Sequence, residues 1–363
     1  MQKPSSILPL NSWKPKGQEN FIIAGPCGAE TEQQVMQTAA GIAALNKVSV
    51  FRSGIWKPRT RPNSFEGVGT VGLQWLQQVK KEYGLLTTVE VANAHHTEEA
   101  LKYGVDILWI GARTTVNPFS VQEIADVLKG VDVPVMIKNP VHADLQLWIG
   151  AIERIAQAGI DKIIAIHRGF HTGQKSKFRN VPLWEIPIEL KTIFPELPVI
   201  CDPSHISGRR DLIKDVAQKA IDLGMDGLMI ESHNNPQQAL SDAQQQLVPA
   251  DLGVLLRELN FRKTSSQNQE FINELQNFRN IIDEIDEELI RVLKKRSDII
   301  TRIGEYKKEH HVTIFQLERW KEILRTRAES AAQKGFPPEF TEKLCQLLHE
   351  ESIRMQTEIM NKK

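Results

Sequence analysis

Eight short apolar runs in the first 250 residues each end on a charged or metal-binding side chain. They are FIIAGPC (21–27), VSVFRSG (48–54), LLTTVEV (85–91), DILWIGAR (106–113), PVMIKNP (134–140), KIIAIHRG (162–169), PVICDPSH (198–205) and GLMIESH (227–233). Helix-like stretches such as 31–45 and 212–224 lie between them. Strand then helix, repeated eight times at this length, predicts an α/β TIM (β/α)8 barrel with a closed parallel sheet. In such a barrel every strand points its C-terminal end into one mouth. Cys27, Arg52, Glu90, Arg113, Lys138, Arg168, His205 and Glu231 are therefore expected to converge there as a catalytic site.

Composition narrows the function. The 45 basic and 45 acidic side chains cancel, so no polycationic surface suggests a nucleic-acid partner. No apolar stretch approaches the roughly 20 residues of a membrane span, and the N-terminus lacks the apolar core of a secretory signal. Three scattered cysteines, Cys27, Cys201 and Cys345, do not make a disulfide framework. A soluble, cytoplasmic protein is expected.

The barrel pattern ends after 243–259, and polar 261–270 reads as a linker between a barrel domain over 1–260 and a different domain over 271–363. From Phe271 apolar residues recur at helical spacing (Leu275, Phe278, Ile282, Ile285, Leu289) without a breaker to about Glu309. A helix of roughly 38 residues spans about 57 Å, too long to be buried in a small monomeric domain. Further helices are predicted over 316–334 and 340–361, either side of GFPPEF. Three helices, the first very long, predict an all-α bundle completed by another chain.

Cys27, His205, Glu231 and Asp242 offer one thiolate, one imidazole and two carboxylates. Singly, each has a bland reading, a cysteine after a strand being small core filler. Together at one barrel face they suit one borderline divalent ion: manganese, with iron, cobalt or zinc as alternatives. Arg52, Lys57, Arg59, Arg113, Lys138 and Arg168 line the same mouth. Like charges converging in one cleft repel unless anions bind, so substrates with several phosphate or carboxylate groups are expected. The aperiodic turn-rich run 58–69 is a candidate phosphate-gripping loop.

The runs AGPCGAE, FRSGIWKPRT, IGAR, IKNP, HRG, DPSH, IESHNNP and ALSD, in order over 20–250, resemble those of 3-deoxy-D-arabino-heptulosonate 7-phosphate (DAHP) synthase. The resemblance is to the compact class related to 3-deoxy-octulosonate 8-phosphate synthase. KPRT, where octulosonate enzymes tend to carry a KANR-like run, points to erythrose 4-phosphate as acceptor. The resemblance implies Cys27, His205, Glu231 and Asp242 as metal ligands, one ion per barrel. It implies Arg113, Lys138 and Arg168 at the phosphate of phosphoenolpyruvate, with Lys57 near its carboxylate. Arg52, Arg59 and Thr60 fall to erythrose 4-phosphate, and Glu90 to the reacting water. Lys138 is either an acid for the aldehyde oxygen or simply a phosphate ligand. Arg61 stands where Ser is common, which changes the finer acceptor contacts.

In the tail, Arg296 and Lys307 are 11 residues and about 16 Å apart on nearly one helix face. One small anion between them would reach both. Arg279 lies 17 residues earlier, about 25 Å away on another face, so only a partner chain would bring it to that site. FRNIIDEIDEELIRVLKKR, RIGEYKK, TIFQLERW and EESIRMQ resemble the all-helical chorismate mutases over about 275–357. That implies a dimerising three-helix domain that binds chorismate or prephenate through Arg279 of the partner, Arg296, Lys307, Arg319, Ser352 and Gln356. Lys307 and Gln356 would donate to the breaking ether bond. Gln316 and Trp320 depart from one form of the motif, where an Asp and a Glu occur.

The reading is a bifunctional shikimate-pathway enzyme joining phosphoenolpyruvate to erythrose 4-phosphate and converting chorismate to prephenate. It would form a homodimer through the helical domain, or a tetramer, with neither nucleic acid nor membrane as partner. Two alternatives stand: arabinose 5-phosphate as acceptor, or a tail serving only as a dimerisation and effector-binding module. Chorismate or prephenate in the tail is expected to inhibit the barrel. Of the remaining residues, His95 and His96 read as a loop start, Cys201 as core, Cys345 as a partnerless helical cysteine, and the seven tryptophans as packing. Asp202 is expected to orient His205 from behind.

Overall fold

The computed structural model describes residues 7–15, 20–58, 64–173, 175–263 and 265–362. The chain divides into two compact units, Met1–Thr264 and Ser265–Lys363.

In the first unit, β1 (Phe21–Gly25), β2 (Val50–Arg52), β3 (Leu86–Val91), β4 (Ile107–Ile110), β5 (Val135–Lys138), β6 (Ile163–His167), β7 (Val199–Cys201) and β8 (Gly227–Glu231) form a closed barrel in sequence order. Every pairing is parallel, and β1 closes on β8 with Phe21 opposite Gly227 and Gly25 opposite Glu231. The two-residue period of a strand sorts the side chains into two cores. Phe21, Ile23, Val50, Ile107, Met136, Ile164, Ile166, Ile200 and Met229 fill the interior with Leu10 beneath them. Their neighbours, including Ile22, Phe51, Leu108, Ile137 and Ala165, face the surrounding helices.

The same period builds the mouth. Arg52 lies two residues beyond interior Val50, Lys138 beyond Met136, Arg168 beyond Ile166, Asp202 beyond Ile200 and Glu231 beyond Met229. Each thus turns inward at the top of its strand. Gly25, with φ of 149°, is required at the end of β1, since a Cβ there would run into the carbonyl of Arg52.

Several of the helices connecting the strands start on side-chain caps, each satisfying a backbone N–H of the first turn. Thr31 accepts from Gln34 N, Asn117 from Phe119 N and Asp144 from Leu147 N. One expectation is corrected here. His95 and His96 belong to the helix Ala94–Lys102, not to a loop, because Asn93 caps it by accepting from His96 N at 2.9 Å. His96 also stacks on Trp56, ring centroids 4.2 Å apart.

The second unit is three helices: Gln269–Glu309 (41 residues), Leu317–Ala332 and Pro338–Asn361. The third packs on both others. Gly304 permits close packing of the first helix on the third, where a Cβ would lie 2.8 Å from Ile359, and it is the one buried residue of the first helix. Phe271, Phe278, Ile282, Ile285 and Leu289 along that helix are each more than half exposed. Among the described residues no helix is long and apolar enough to cross a membrane.

Candidate active sites

At the barrel mouth Cys27 Sγ and carboxylate oxygens of Glu231 and Asp242 lie within 4.8 Å of one another. His205, on the short helix Pro203–Ser207, brings Nε2 to 3.7 Å from Glu231 Oε1 and 3.9 Å from Asp242 Oδ2. The far side of each group is held. Asp202 Oδ2 lies 2.8 Å from His205 Nδ1, and Asp202 Oδ1 accepts from His205 N at 3.0 Å. A proton on Nδ1 therefore faces Asp202, and the Nε2 lone pair turns to the centre. Gln245 Nε2 donates to Glu231 Oε2 at 2.7 Å. Arg179 Nη1 donates to Asp242 Oδ1 at 2.9 Å and to Gln245 Oε1 at 2.8 Å. Cys27 is fixed through its backbone N–H, which donates to Gln246 Oε1 at 2.9 Å.

The donors suit a divalent cation. Glu231 Oε1 is buried without a hydrogen bond, its charge met by the Arg52 guanidinium at 3.1 Å, and it has room in its bonding for an ion. Burial, reinforced by Glu231 and opposed by Lys57, pushes the Cys27 thiol up to about 12. An ion bound there would displace the thiol proton. Burial opposes the charge on Asp242, yet His205, Arg179 and Lys57 hold that carboxyl well below its usual range. Burial keeps the His205 imidazole pKa low despite Asp202, so the ring is neutral near pH 7. One sulfur, one nitrogen and two carboxylates fit manganese, iron, cobalt or zinc.

Cations surround this set. Arg52, 1% exposed, places Nη2 3.1 Å from Glu231 Oε1 and its guanidinium 5.0 Å over the Trp109 ring. Lys138 Nζ donates to Asp202 Oδ2 at 2.9 Å. Lys57 Nζ donates to Cys27 O at 2.7 Å and meets its Sγ at 2.9 Å. Arg168 donates through Nη1 to Asn180 Oδ1 at 2.7 Å and through its backbone N–H to Asn139 Oδ1 at 2.7 Å. Burial pulls the Arg168 pKa down to about 10, and the nearby charges of Arg179 and Arg113 pull the same way. Crowded cations of this kind are relieved by an anion. Arg113 itself sits on the short helix Ala112–Thr115. Glu90 Oε2 accepts from Trp109 Nε1 at 3.2 Å, and Glu90 needs glycine at 111, where a Cβ would strike its Oε1. Arg59, Thr60 and Arg61 lie outside the described residues.

Sequence reasoning missed several of these groups. Trp109 was one packing tryptophan among seven, yet Arg52 and Lys138 both lie over its ring. Asn139 and Asn180 shape Arg168, and Arg179, Gln245 and Gln246 hold the donor set. For Asn139, Gln245 and Gln246 the one visible signal was polarity directly after a strand or close to Asp242, and Arg179 and Asn180, far along the run after β6, carried none.

In the helical unit Arg296, Lys307, Arg319, Ser352 and Gln356 line one cavity of about 860 Å³, which Arg279 of the same chain does not reach. Arg327 and Lys334 also face it, and no carboxylate does among the described residues. Gln316 and Trp320 line it too, with Trp320 stacked on His349 at 4.1 Å. Burial lowers the Lys307 pKa, and its ammonium donates to Ile314 O at 2.6 Å. Gln356 Nε2 donates to Ser352 O at 3.2 Å, which leaves its buried Oε1 without a partner. The amide nitrogen carries a second N–H that could serve a ligand. Cys345 also lines this cavity, and Cys27, Cys201 and Cys345 are all free thiols.

The chain matches the DAHP synthetase I family over residues 11–267 and chorismate mutase type II over residues 278–357. A phospho-2-dehydro-3-deoxyheptonate aldolase of Thermotoga maritima is 35% identical over 226 residues, 62% of this chain and 64% of that protein. The chain thus spans less than two thirds of that relative's length. A 2-dehydro-3-deoxyphosphooctonate aldolase of Nitratidesulfovibrio vulgaris is 29% identical over 260 residues, 66% of this chain and 90% of its own. The crystal structure of the Thermotoga maritima phospho-2-dehydro-3-deoxyheptonate aldolase (DAHP synthase) superposes with a TM-score of 0.61 at 30% identity, covering 70% of this chain and 75% of that one.

His167 yields a pH test. It ends β6 but faces outward, fully buried against Trp184 and Phe170. Burial, with the charge of Arg168, depresses its pKa to about 3, whereas an unfolded histidine titrates near 6.5. Below about pH 6.5 the unfolded chain takes up a proton that the folded barrel refuses, so stability falls as pH falls. At pH 5 the expected loss from this residue is about 2 kcal/mol. Urea midpoints at pH 7 and pH 5 should drop further for the native chain than for His167→Phe. Equal drops would show that the ring does not titrate in this way.

Proposed function

Because this chain belongs to the DAHP synthetase I family and carries a chorismate mutase type II domain behind it, we propose a bifunctional enzyme of the shikimate pathway. Its barrel condenses phosphoenolpyruvate with erythrose 4-phosphate to DAHP and phosphate, and its helical domain rearranges chorismate to prephenate. The observation that carries the first activity is the convergence of a Cys–His–Glu–Asp donor set with a ring of cations at one barrel mouth. We take 1–260 as the synthase, 261–270 as the link and 271–363 as the mutase. The free thiols accord with a cytoplasmic setting.

Cys27, His205, Glu231 and Asp242 would hold the divalent ion, whose chemistry when bound is to polarise the acceptor aldehyde. Arg113, Lys138 and Arg168 grip the phosphate of phosphoenolpyruvate, and Lys57 takes its carboxylate. The cradle holds two mutually repelling anions in reacting order, which supplies orientation and charge stabilisation together. The C3 carbon of phosphoenolpyruvate attacks the aldehyde. Water adds at the developing cation on C2, and phosphate leaves by C–O cleavage. Glu90, which accepts from Trp109 Nε1, directs that water in this reading. Lys138, salt-bridged to Asp202, grips phosphate or protonates the aldehyde oxygen. Arg52, Arg59 and Thr60 serve erythrose 4-phosphate. The KPRT run, and higher identity to a heptonate than to an octonate aldolase, favour this acceptor over arabinose 5-phosphate.

In the helical domain, five cations and, among the described residues, no carboxylate face the cavity, which suits the chorismate dianion, with Lys307 and Gln356 toward the ether oxygen. A second reading, effector binding with slow turnover, is favoured by Gln316 and Trp320 in that same cavity. The bare apolar stripe from Phe271 to Leu289 is covered by a second copy, which also brings its Arg279. Homodimers, or tetramers built from them, follow.

Two experiments test this. Phosphoenolpyruvate loss should require erythrose 4-phosphate rather than arabinose 5-phosphate, stop with a chelator and return with manganese. Turnover with the five-carbon sugar, or indifference to chelation in metal-free protein, would contradict the assignment. Prephenate should inhibit the barrel by biasing how the two domains dock. A chain ending near residue 263 should lose both that inhibition and self-association in sedimentation, and inhibition that persists would exclude the mechanism.

A further inference from the structure

The donor set at the mouth poses a geometric problem. Each carboxylate has two equivalent oxygens, and only one of each faces the centre. For Glu231 the central oxygen is Oε1, 3.7 Å from His205 Nε2. For Asp242 it is Oδ2, 3.4 Å from Cys27 Sγ and 3.9 Å from His205 Nε2. Both outward oxygens are bonded to one connected pair of side chains. Arg179 Nη1 takes Asp242 Oδ1 at 2.9 Å and Gln245 Oε1 at 2.8 Å. Gln245 Nε2 then takes Glu231 Oε2 at 2.7 Å and reaches Asp242 Oδ2 at 3.4 Å.

Charge fixes the sense of this chain of bonds. The guanidinium only donates, so it demands the amide oxygen of Gln245. The amide nitrogen is thereby turned toward two acceptors that only accept. A flipped amide would set donor against donor and acceptor against acceptor. Gln245 is 1% exposed, so water does not substitute for these bonds. The backbone needs the restraint as well. Asp242 has φ of 51°, a left-handed conformation that costs a non-glycine residue energy unless its surroundings hold it.

We propose that Arg179 and Gln245 are positioning residues of the metal site, a clamp that aims Asp242 Oδ2 and Glu231 Oε1 at the ion. Neither touches substrate or ion in this role. The inference rests on the metal-dependent reading of the barrel and assigns to these two residues the task that Asp202 performs for His205. Partners of metal ligands of this kind typically change metal affinity by 10- to 100-fold when removed.

The test is cobalt(II) titration of the metal-free full-length protein, followed by the thiolate-to-cobalt absorption of Cys27 and by calorimetry. Arg179→Met and Gln245→Met should each weaken cobalt binding by about 10- to 100-fold. Gln245→Glu, which sets a third carboxylate against the other two, should weaken it at least as far. Excess manganese should restore turnover to the methionine variants with the KM for phosphoenolpyruvate unchanged. Unaltered cobalt affinity in both methionine variants would overturn the clamp. So would a raised substrate KM at saturating metal with native cobalt affinity, which would make Arg179 a substrate anchor. Should Arg179→Met fail to fold, Gln245→Met decides alone. Failure of the native protein to show the thiolate absorption would instead refute the metal reading itself, and the clamp with it.

Discussion

Asp202 is the hub on which the barrel site depends. It is wholly buried, and burial alone would favour its neutral form. His205, Lys138 and Arg52 instead drive its pKa well below the usual carboxylate range. Its two oxygens take Lys138 at 2.9 Å, Arg52 at 3.9 Å, His205 Nδ1 at 2.8 Å and the His205 backbone N–H at 3.0 Å. One carboxylate thereby orients a candidate metal ligand and tethers two candidate anion-binding cations. An unpaired charge at this depth would cost several kcal/mol. Removing any member of the network leaves another exposed to that cost, so the mouth is built as a whole or not at all.

The two units solve opposite burial problems. The barrel encloses its own apolar interior and spends polarity only at the strand ends, where alternation places Arg52, Lys138, Asp202 and Glu231 above a packed floor of Val50, Met136, Ile200 and Met229. The helical unit buries little of its longest helix, whose 41 residues contribute one buried position. Among the described residues its cavity collects five cations and no carboxylate. The first unit makes a site by burying paired charge, and the second by gathering cations around a cavity that an anion would fill.

Strand order and the inward turn of the strand-end residues were legible in the sequence because period-two alternation and chain order suffice to place them. The helical tail was legible because its apolar spacing runs unbroken to Glu309. What stayed hidden depends on contacts between distant segments. Arg179 meets Asp242 across 63 positions, and Gln246 meets Cys27 across 219. No local pattern marks such pairs. Trp109 was obscured for another reason, since indole packing and indole support of a cation look alike in sequence. His95 and His96 were misread because the cap at Asn93 outweighs a weak local helical preference. For Cys27, His205, Glu231 and Asp242 the sequence indicated which residues meet, whereas only coordinates show which oxygen of each carboxylate faces inward.

The proposed assignment of two reactions to two units implies sites that fail independently. The most direct measurement is to assay both reactions in the same purified samples of Cys27→Ser and Lys307→Ala. Cys27→Ser should lose condensation of phosphoenolpyruvate with erythrose 4-phosphate and keep chorismate turnover, and Lys307→Ala should do the reverse. Loss of both reactions in either folded variant, or full condensation activity in Cys27→Ser, would contradict the assignment of the two reactions to these two sites.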